Sequence, residues 1–488
     1  MIKYVSTKGG VSPVSFDEAV LGGFAEDGGL FVPQSIPEIS SKQLHDWSGL
    51  SFTELAFELM SLYIPRSIVP AVDLKTLIEK SYRSFDSPDV VELVPVDEQG
   101  RVLVLELFHG PTLSFKDVAM GFLINVLDYI LNKRGEHLSI VLATTGDTGP
   151  AAAWAAAGKK SLDCWALFPR GMITEEQERQ MTTLNADNVH AVGVENCPNG
   201  GDDLDAVVAG LFEDLELKRK LKLSSVNSIN WCRVMVQSVH YFYGYYRAVE
   251  TPGESVVFSV PSGAFGNLFG GYLARTMGLP VGKFICANNS NNALHTVLST
   301  GVFTRKELIQ TMSSAIDIVV PYNFWRYLYF VSGCNSEQMT LWMDEFQTAG
   351  EVTFTSEVQS AIKDGFNSVS VSEAETGATI KRVFNERDGY LLDPHSAVAV
   401  SAAVSLKDTI PDQERIICLA TAHPAKFPNI IRSCLGAGSE LPAGGMHPAL
   451  TRASKVCQHL RLCKLEHLEF AVVDAMKSRL GIKSDKVH

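Results

Sequence analysis

Residues Phe108–Asp117 read FHGPTLSFKD and set one lysine, Lys116, between an apolar strand and a long helix. The preceding Arg101–Leu107 (RVLVLEL) is rich in valine and leucine, as a buried strand should be. Gly110 and Pro111 end that strand. After Lys116, Asp117–Lys133 (DVAMGFLINVLDYILNK) is predicted to be a helix that is apolar on most faces. A lysine held at such a junction against apolar walls has a lowered pKa and can form a Schiff base. Taken alone, Lys116 is better read as an ordinary lysine snorkelling from a helix start.

Two further segments change that balance. Ser139–Ala143 (SIVLA) reads as a short buried parallel strand, and Pro150 suits the first turn of the alanine-rich helix that follows. Between them, Thr144, Thr145, Gly146, Asp147 and Thr148 offer hydroxyls and free amides at a helix N-terminus, a seat for a carboxylate. A plain capping turn explains that stretch equally well. Next, Ser255–Gly271 (SVVFSVPSGAFGNLFGG) carries a strand into a loop with Gly263 and Gly266, and a helix opens near Asn267. Glycines let backbone amides face a phosphate, though the stretch has neither GK[ST] nor GxGxxG, and a tight strand–helix connection is the plainer reading.

Together these strings resemble the threonine synthase family, pyridoxal-phosphate (PLP) enzymes of the tryptophan-synthase β-type fold. The resemblance also rests on Tyr4–Pro33, Gln180–Thr183 (QMTT), Val226–Trp231 (VNSINW), Asp393–Ser396 (DPHS) and Thr421–Phe427 (TAHPAKF), all in order along the chain. It implies an α/β fold-type II architecture, with two parallel-sheet domains and a mainly helical N-terminal domain. The implied divisions are 1–88 for the N-terminal domain, 90–117 with 252–436 for the large cofactor domain, and 118–249 for a smaller mobile domain. Residues 437–488 would form a linker and a helical C-terminal extension.

The same resemblance implies roles for single residues. Lys116 would carry PLP through its amine and then move protons on the substrate. Gly263, Ala264, Phe265, Gly266 and Asn267 would cup the cofactor phosphate, and Thr421 would face the pyridine nitrogen. A hydroxyl there need not keep the ring protonated, which makes a milder electron sink. Thr144, Thr145, Asp147 and Thr148 would position the substrate α-carboxylate and the cofactor ring oxygen. Asn227, Asn230 and Arg233 would line a polar wall near the substrate phosphate. No metal is implied. The implied substrate is O-phospho-L-homoserine, converted with water to L-threonine and phosphate.

Three positions depart from the family pattern. Ala264 stands where asparagine is common, Thr145 where serine is usual, and Met172 of Pro169–Thr174 (PRGMIT) where a basic residue is common. The small residue in the phosphate loop also occurs in threonine-synthase-like proteins that resemble phospho-lyases. Those would give 2-oxobutyrate, ammonia and phosphate, and the sequence leaves both outcomes open. A cofactor-holding protein without catalysis is the distant alternative, disfavoured by the intact Lys116, threonine loop and TAHPAKF string.

Composition bounds the rest. At 488 residues and 46% hydrophobic, the chain can bury large cores and form two or three domains. A formal net charge of −13 with no basic stripe argues against a nucleic-acid partner. An anionic substrate must then be drawn in by local donors against the global charge. Nine scattered cysteines with no CxxC fit reduced thiols in a cytoplasm better than disulfides or a zinc site. The opening MIKYVSTKGG lacks an apolar signal core, and no stretch suggests a membrane span. The expected protein is a monomer or homodimer acting on a small molecule. His109, His395 and His423 are read as packing or supporting residues, and His240–Tyr246 (HYFYGYY) as helix core.

Overall fold

The computed structural model describes residues 2–436 and 440–482. Its frame is a pair of sheets. The larger runs, edge to edge, Phe366–Ser370, Val281–Asn288, Val256–Pro261, Arg415–Ala420, Val102–Glu106 and Glu92–Pro95. Every neighbouring pair is parallel except the last, where Glu92–Pro95 turns back antiparallel on Val102–Glu106 as an edge strand. The smaller sheet runs Arg461–Lys464, Val189–Glu195, Leu162–Pro169, Leu138–Ala143 and Leu223–Ser224, all parallel. Central strands such as Val102–Glu106, Leu138–Ala143 and Leu162–Pro169 are buried along their whole length. That is why they read as continuous apolar runs rather than alternating ones.

Two of the helices packed around these sheets bear most on the site. Lys116–Arg134 follows the string that opens the cofactor reading, one residue longer at each end than the sequence pattern predicts. It stops at Gly135, whose φ of 64° is the left-handed cap that glycine adopts without penalty, and Lys133 and Arg134 face the negative helix end. Its buried residues include Val118, Met120, Phe122, Leu123, Ile124 and Leu127. Fully burying such side chains stabilises by about 1.5–3 kcal/mol each, which explains a helix without one polar face. Trp231–Ala248 packs against it and buries His240–Tyr246, the expected helix core.

The N-terminal segment carries the helices Phe16–Gly22, Ser41–Asp46, Phe52–Ser61 and Ala71–Tyr82, with an antiparallel pair, Tyr4–Ser6 and Phe31–Pro33. Ser40 and Ser51 close capping boxes with Gln43 and Glu54, so these helix starts are locally encoded.

The C-terminal extension differs from expectation. Leu450–Lys483 reads as amphipathic helix, yet Arg461–Lys464 is a strand that pairs with Val189–Glu195 and extends the smaller sheet. Helices Pro448–Ala453 and Leu468–Arg479 flank it. Four residues are too few to show a period of two, and the exposed edge of Val189–Glu195 supplies the missing hydrogen-bond partner. Arg479 then reaches Asp163 on Leu162–Pro169, the strand beyond Val189–Glu195, at 3.1 Å. Of the linker-like Gly436–Pro448, residues 437–439 lie outside the described residues, as does Lys483.

Candidate active site

Parallel strands open their ligand crevices at their carboxyl ends, and the loops following five of these strands (Val102–Glu106, Leu138–Ala143, Leu223–Ser224, Val256–Pro261 and Arg415–Ala420) converge on one cavity of about 770 Å³. Among its lining residues are Lys116, Thr144, Thr145, Asp147, Thr148, Asn227, Arg233, Gly263, Ala264, Phe265, Gly266, Asn267 and Thr421. Every residue singled out from the sequence as binding or catalytic is there, except Asn230.

Lys116 opens its helix with Nζ over the Phe115 ring, 4.3 Å from the centroid. Burial, helped by the nearby charges of Arg233 and Lys426 and opposed by Asp147, pushes its pKa down to about 7. A neutral amine is therefore present near neutral pH, as a nucleophile toward a carbonyl requires. The Phe115 amide donates to the Thr421 carbonyl at 2.8 Å, which fixes Thr421 beside the lysine.

The loop after Val256–Pro261 fits a phosphate. Phe265 takes a left-handed φ of 62° and packs on Phe324, which turns the chain into helix Gly266–Thr276 with its free amides toward the cavity. Tyr241 and His240 both engage Asn267 Oδ1, at 3.1 and 2.9 Å. Burial pushes the His240 pKa down to about 3, so its ring is neutral. Several lining atoms are buried with no hydrogen-bond partner among the described residues: Asn227 Oδ1, Arg233 Nε, Gln237 Oε1 and Asn267 Nδ2. Buried polar atoms are rarely left unsatisfied: the donors Arg233 Nε and Asn267 Nδ2 suit an anionic group such as a phosphate, and the oxygens of Asn227 and Gln237 suit a donor on the same polar guest.

Three residues stand differently from their expected roles. Asn230 is wholly buried away from the cavity; its side chain caps Trp231–Ala248 through Cys232 N and donates to the carbonyls of Val20 and Ser225. It is a structural tie and not part of a substrate wall. Asp147 is turned to Lys426, with Nζ–Oδ1 2.7 Å, and to Gln177 at 3.0 Å. Burial alone would raise its pKa, but the Lys426 charge, with the hydrogen bonds from Lys426 and Gln177, outweighs that and holds the carboxyl below its usual range. Its Oδ1 is thus engaged by two side chains of the protein itself. Thr144 Oγ1 likewise faces inward, accepting from the amides of Gly146 and Gly149 at 3.1 and 3.0 Å. Thr145 and Thr148 remain partly open to the cavity.

Met172 packs near Gly200 rather than lining the cavity. His395 lines it, and its Nε2 accepts from the Ala315 amide at 3.0 Å while Asp393 holds Nδ1. His109 pairs with Glu106 at 2.9 Å, and Glu106 also accepts from Tyr390 at 2.6 Å, in a separate pocket that His423 shares. Sequence reasoning missed Gln237, Arg305, Lys426 and the N-terminal Lys8, Glu26 and Asp27, all but Lys426 on the cavity lining. Lys426 lay within TAHPAKF, and Lys8, Glu26 and Asp27 within Tyr4–Pro33, strings singled out for the family rather than for these residues; Gln237 and Arg305 lay in none.

Comparison with known proteins bears on this geometry. The family described as "Threonine synthase N terminus" matches residues 3–82, "Pyridoxal-phosphate dependent enzyme" matches 91–422, and "Threonine synthase, C-terminal" matches 396–464. A threonine synthase of Schizosaccharomyces pombe is 40% identical over 471 residues, covering 90% of each chain. A protein named threonine synthase-like 2 of Pongo abelii is 38% identical, again over 90% of each. The crystal structure of PLP-bound threonine synthase from Brucella melitensis superposes with a TM-score of 0.88 at 38% identity, covering 98% of this chain and 100% of that one.

Proposed function

The chain belongs to the threonine synthase family of PLP-dependent enzymes, and on that premise we propose that it converts O-phospho-L-homoserine and water to L-threonine and phosphate. The observation that carries this reading is a buried lysine of pKa about 7 facing a cavity rich in unpartnered polar atoms.

In this reading Lys116 holds PLP, and the amides of Gly263–Asn267 hold its phosphate, with Thr421 at the ring nitrogen. When bound, PLP draws electrons from the substrate α-carbon and so acidifies the protons on it and on its neighbour. Lys116 accepts the α-proton as a neutral amine and returns protons as an ammonium. A pKa near 7 keeps both forms populated at neutral pH, which suits a group that acts as base and then as acid. Thr145 and Thr148 orient the α-carboxylate with their hydroxyls and the loop amides. Arg233, buried and with Nε free of partners among the described residues, offers its charge to the γ-phosphate as that group leaves. Water then adds at the β-carbon, which completes the exchange of phosphate for hydroxyl.

The 38% identity to a threonine synthase-like 2 protein, together with Ala264 in the phosphate loop, favours one other reading. In it the same elimination gives 2-oxobutyrate, ammonia and phosphate. Product analysis on cofactor-loaded protein with O-phosphohomoserine separates them: threonine with phosphate supports the synthase, and 2-oxobutyrate with ammonia supports the lyase. We further propose that the smaller sheet moves against the larger during turnover, and that the nine free thiols reflect a reducing cytoplasm. Among the described residues no helix is long and apolar enough to cross a membrane.

A further inference from the structure

The Thr421–Phe427 string brings a second buried lysine to the edge of the site. The Lys426 side chain is 0% exposed, and its Nζ lies 2.7 Å from Oδ1 of Asp147, itself 3% exposed. It also donates to the Thr112 carbonyl at 3.0 Å. Gln180 donates to that same carbonyl at 3.0 Å, and Gln177 to the same Asp147 oxygen at 3.0 Å. Thr112 in turn donates through its amide and hydroxyl to Asp117, the neighbour of Lys116, at 2.8 and 2.6 Å.

These contacts join three loops. Asp147 belongs to the threonine-rich loop at the end of the smaller sheet. Thr112 belongs to the loop that presents Lys116, and Lys426 follows Arg415–Ala420 of the larger sheet. One ammonium therefore bridges the two sheets beside the reacting lysine. A surface pair would be worth little, but here both charges are enclosed, and removing either leaves the other uncompensated. The charges facing Lys116 are Arg233, Asp147 and Lys426; the charge facing Asp147 is Lys426, with the His395 ring, whose Nε2 accepts from the Ala315 amide, near it.

We propose that Lys426 is a positioning residue for this reaction: it locks the threonine-rich loop onto the Lys116 loop and offsets the Asp147 charge that would hold a proton on Lys116. The inference rests on Lys116 as the cofactor-bearing lysine. It assigns Lys426 two separable effects, one on geometry and one on charge. Loss of Lys426 alone leaves Asp147 attracting a proton to Lys116, so the lysine titrates at higher pH. Loss of both charges removes the attraction but not the loosened loop.

The test titrates the visible absorption of the lysine-linked cofactor in four cofactor-loaded proteins: wild type, Lys426→Met, Lys426→Met with Asp147→Asn, and Lys116→Ala. Lys426→Met is expected to move the midpoint upward by about one pH unit, and to raise KM for O-phosphohomoserine about tenfold, a loss of about 1.4 kcal/mol of binding. The double variant is expected to restore the midpoint while KM stays high. A wild-type midpoint and KM in folded Lys426→Met, or a double variant identical to the single one, overturns the proposal. If Lys116→Ala keeps the lysine-linked band, the assignment of Lys116 fails instead. Should Lys426→Met not fold, Asp147→Asn alone provides the mirror test: a downward shift supports the proposal, and an unmoved midpoint sinks it.

Discussion

Gly263 abuts Ile316 so closely that a methyl group on the glycine would lie 2.9 Å from the Ile316 Cα atom. The neighbour is backbone, which cannot rotate aside as a side chain would. Gly263→Ala is therefore expected to displace the phosphate loop or the Ser314–Ile316 turn, at about 1–3 kcal/mol of stability. Cofactor retention on dialysis should fall about tenfold or more, since about 1.4 kcal/mol suffices for that. Full retention with an unchanged melting temperature would mean that the loop does not seat the phosphate.

Lys116→Ala should abolish the lysine-linked absorption and lower phosphate release by on the order of 10⁴-fold, the upper range for a lost general acid–base group. Because the phosphate loop is untouched, the variant should still bind PLP without the covalent link. Equilibrium dialysis distinguishes this from simple unfolding, in which binding also vanishes.

The depressed pKa of Lys116 predicts two pH effects. The neutral amine is the capturing form, so the rate at which cofactor-free protein takes up PLP should rise through about pH 7 and then level. A midpoint near the ordinary lysine value would contradict the burial argument. For stability, the folded pKa lies below the unfolded one, so between about 7 and 10.5 the unfolded chain binds the extra proton. The stability of cofactor-free protein should therefore climb with pH across that window, and Lys116→Met should flatten the climb. Urea titrations at several pH values measure the slope directly.

Asn230→Ala tests the reassignment of a residue that resembles part of the substrate wall. It removes the cap on Cys232 N and the ties to Val20 and Ser225, and should cost about 1–3 kcal/mol. The expected signature is a lower denaturation midpoint with KM for O-phosphohomoserine unchanged. A raised KM at unchanged stability would return Asn230 to the site.

By itself the sequence determined the parts of this protein that are written in short stretches of chain. The apolar runs at Arg101–Leu107 and Ser139–Ala143, their Gly and Pro breakers, and the helix after Lys116 are local patterns. They mark where strands end and loops begin, and hence where Lys116, Thr145 and Gly263 must sit relative to a parallel sheet. Strings such as SGAFGN and TAHPAKF added the family, and with it the cofactor. Only the tertiary structure decided which of those residues share a surface. Lys426 and Asp147 lie far apart in the chain, and nothing local in either stretch signals that they meet. Asn230 and Asn227 look alike in VNSINW, yet one caps a helix and the other lines the cavity, because three positions along a turn point side chains in different directions. The strand Arg461–Lys464 was hidden for the same reason. Four residues carry too little periodicity to declare a strand, and pairing is settled by whichever exposed edge the folded sheet offers.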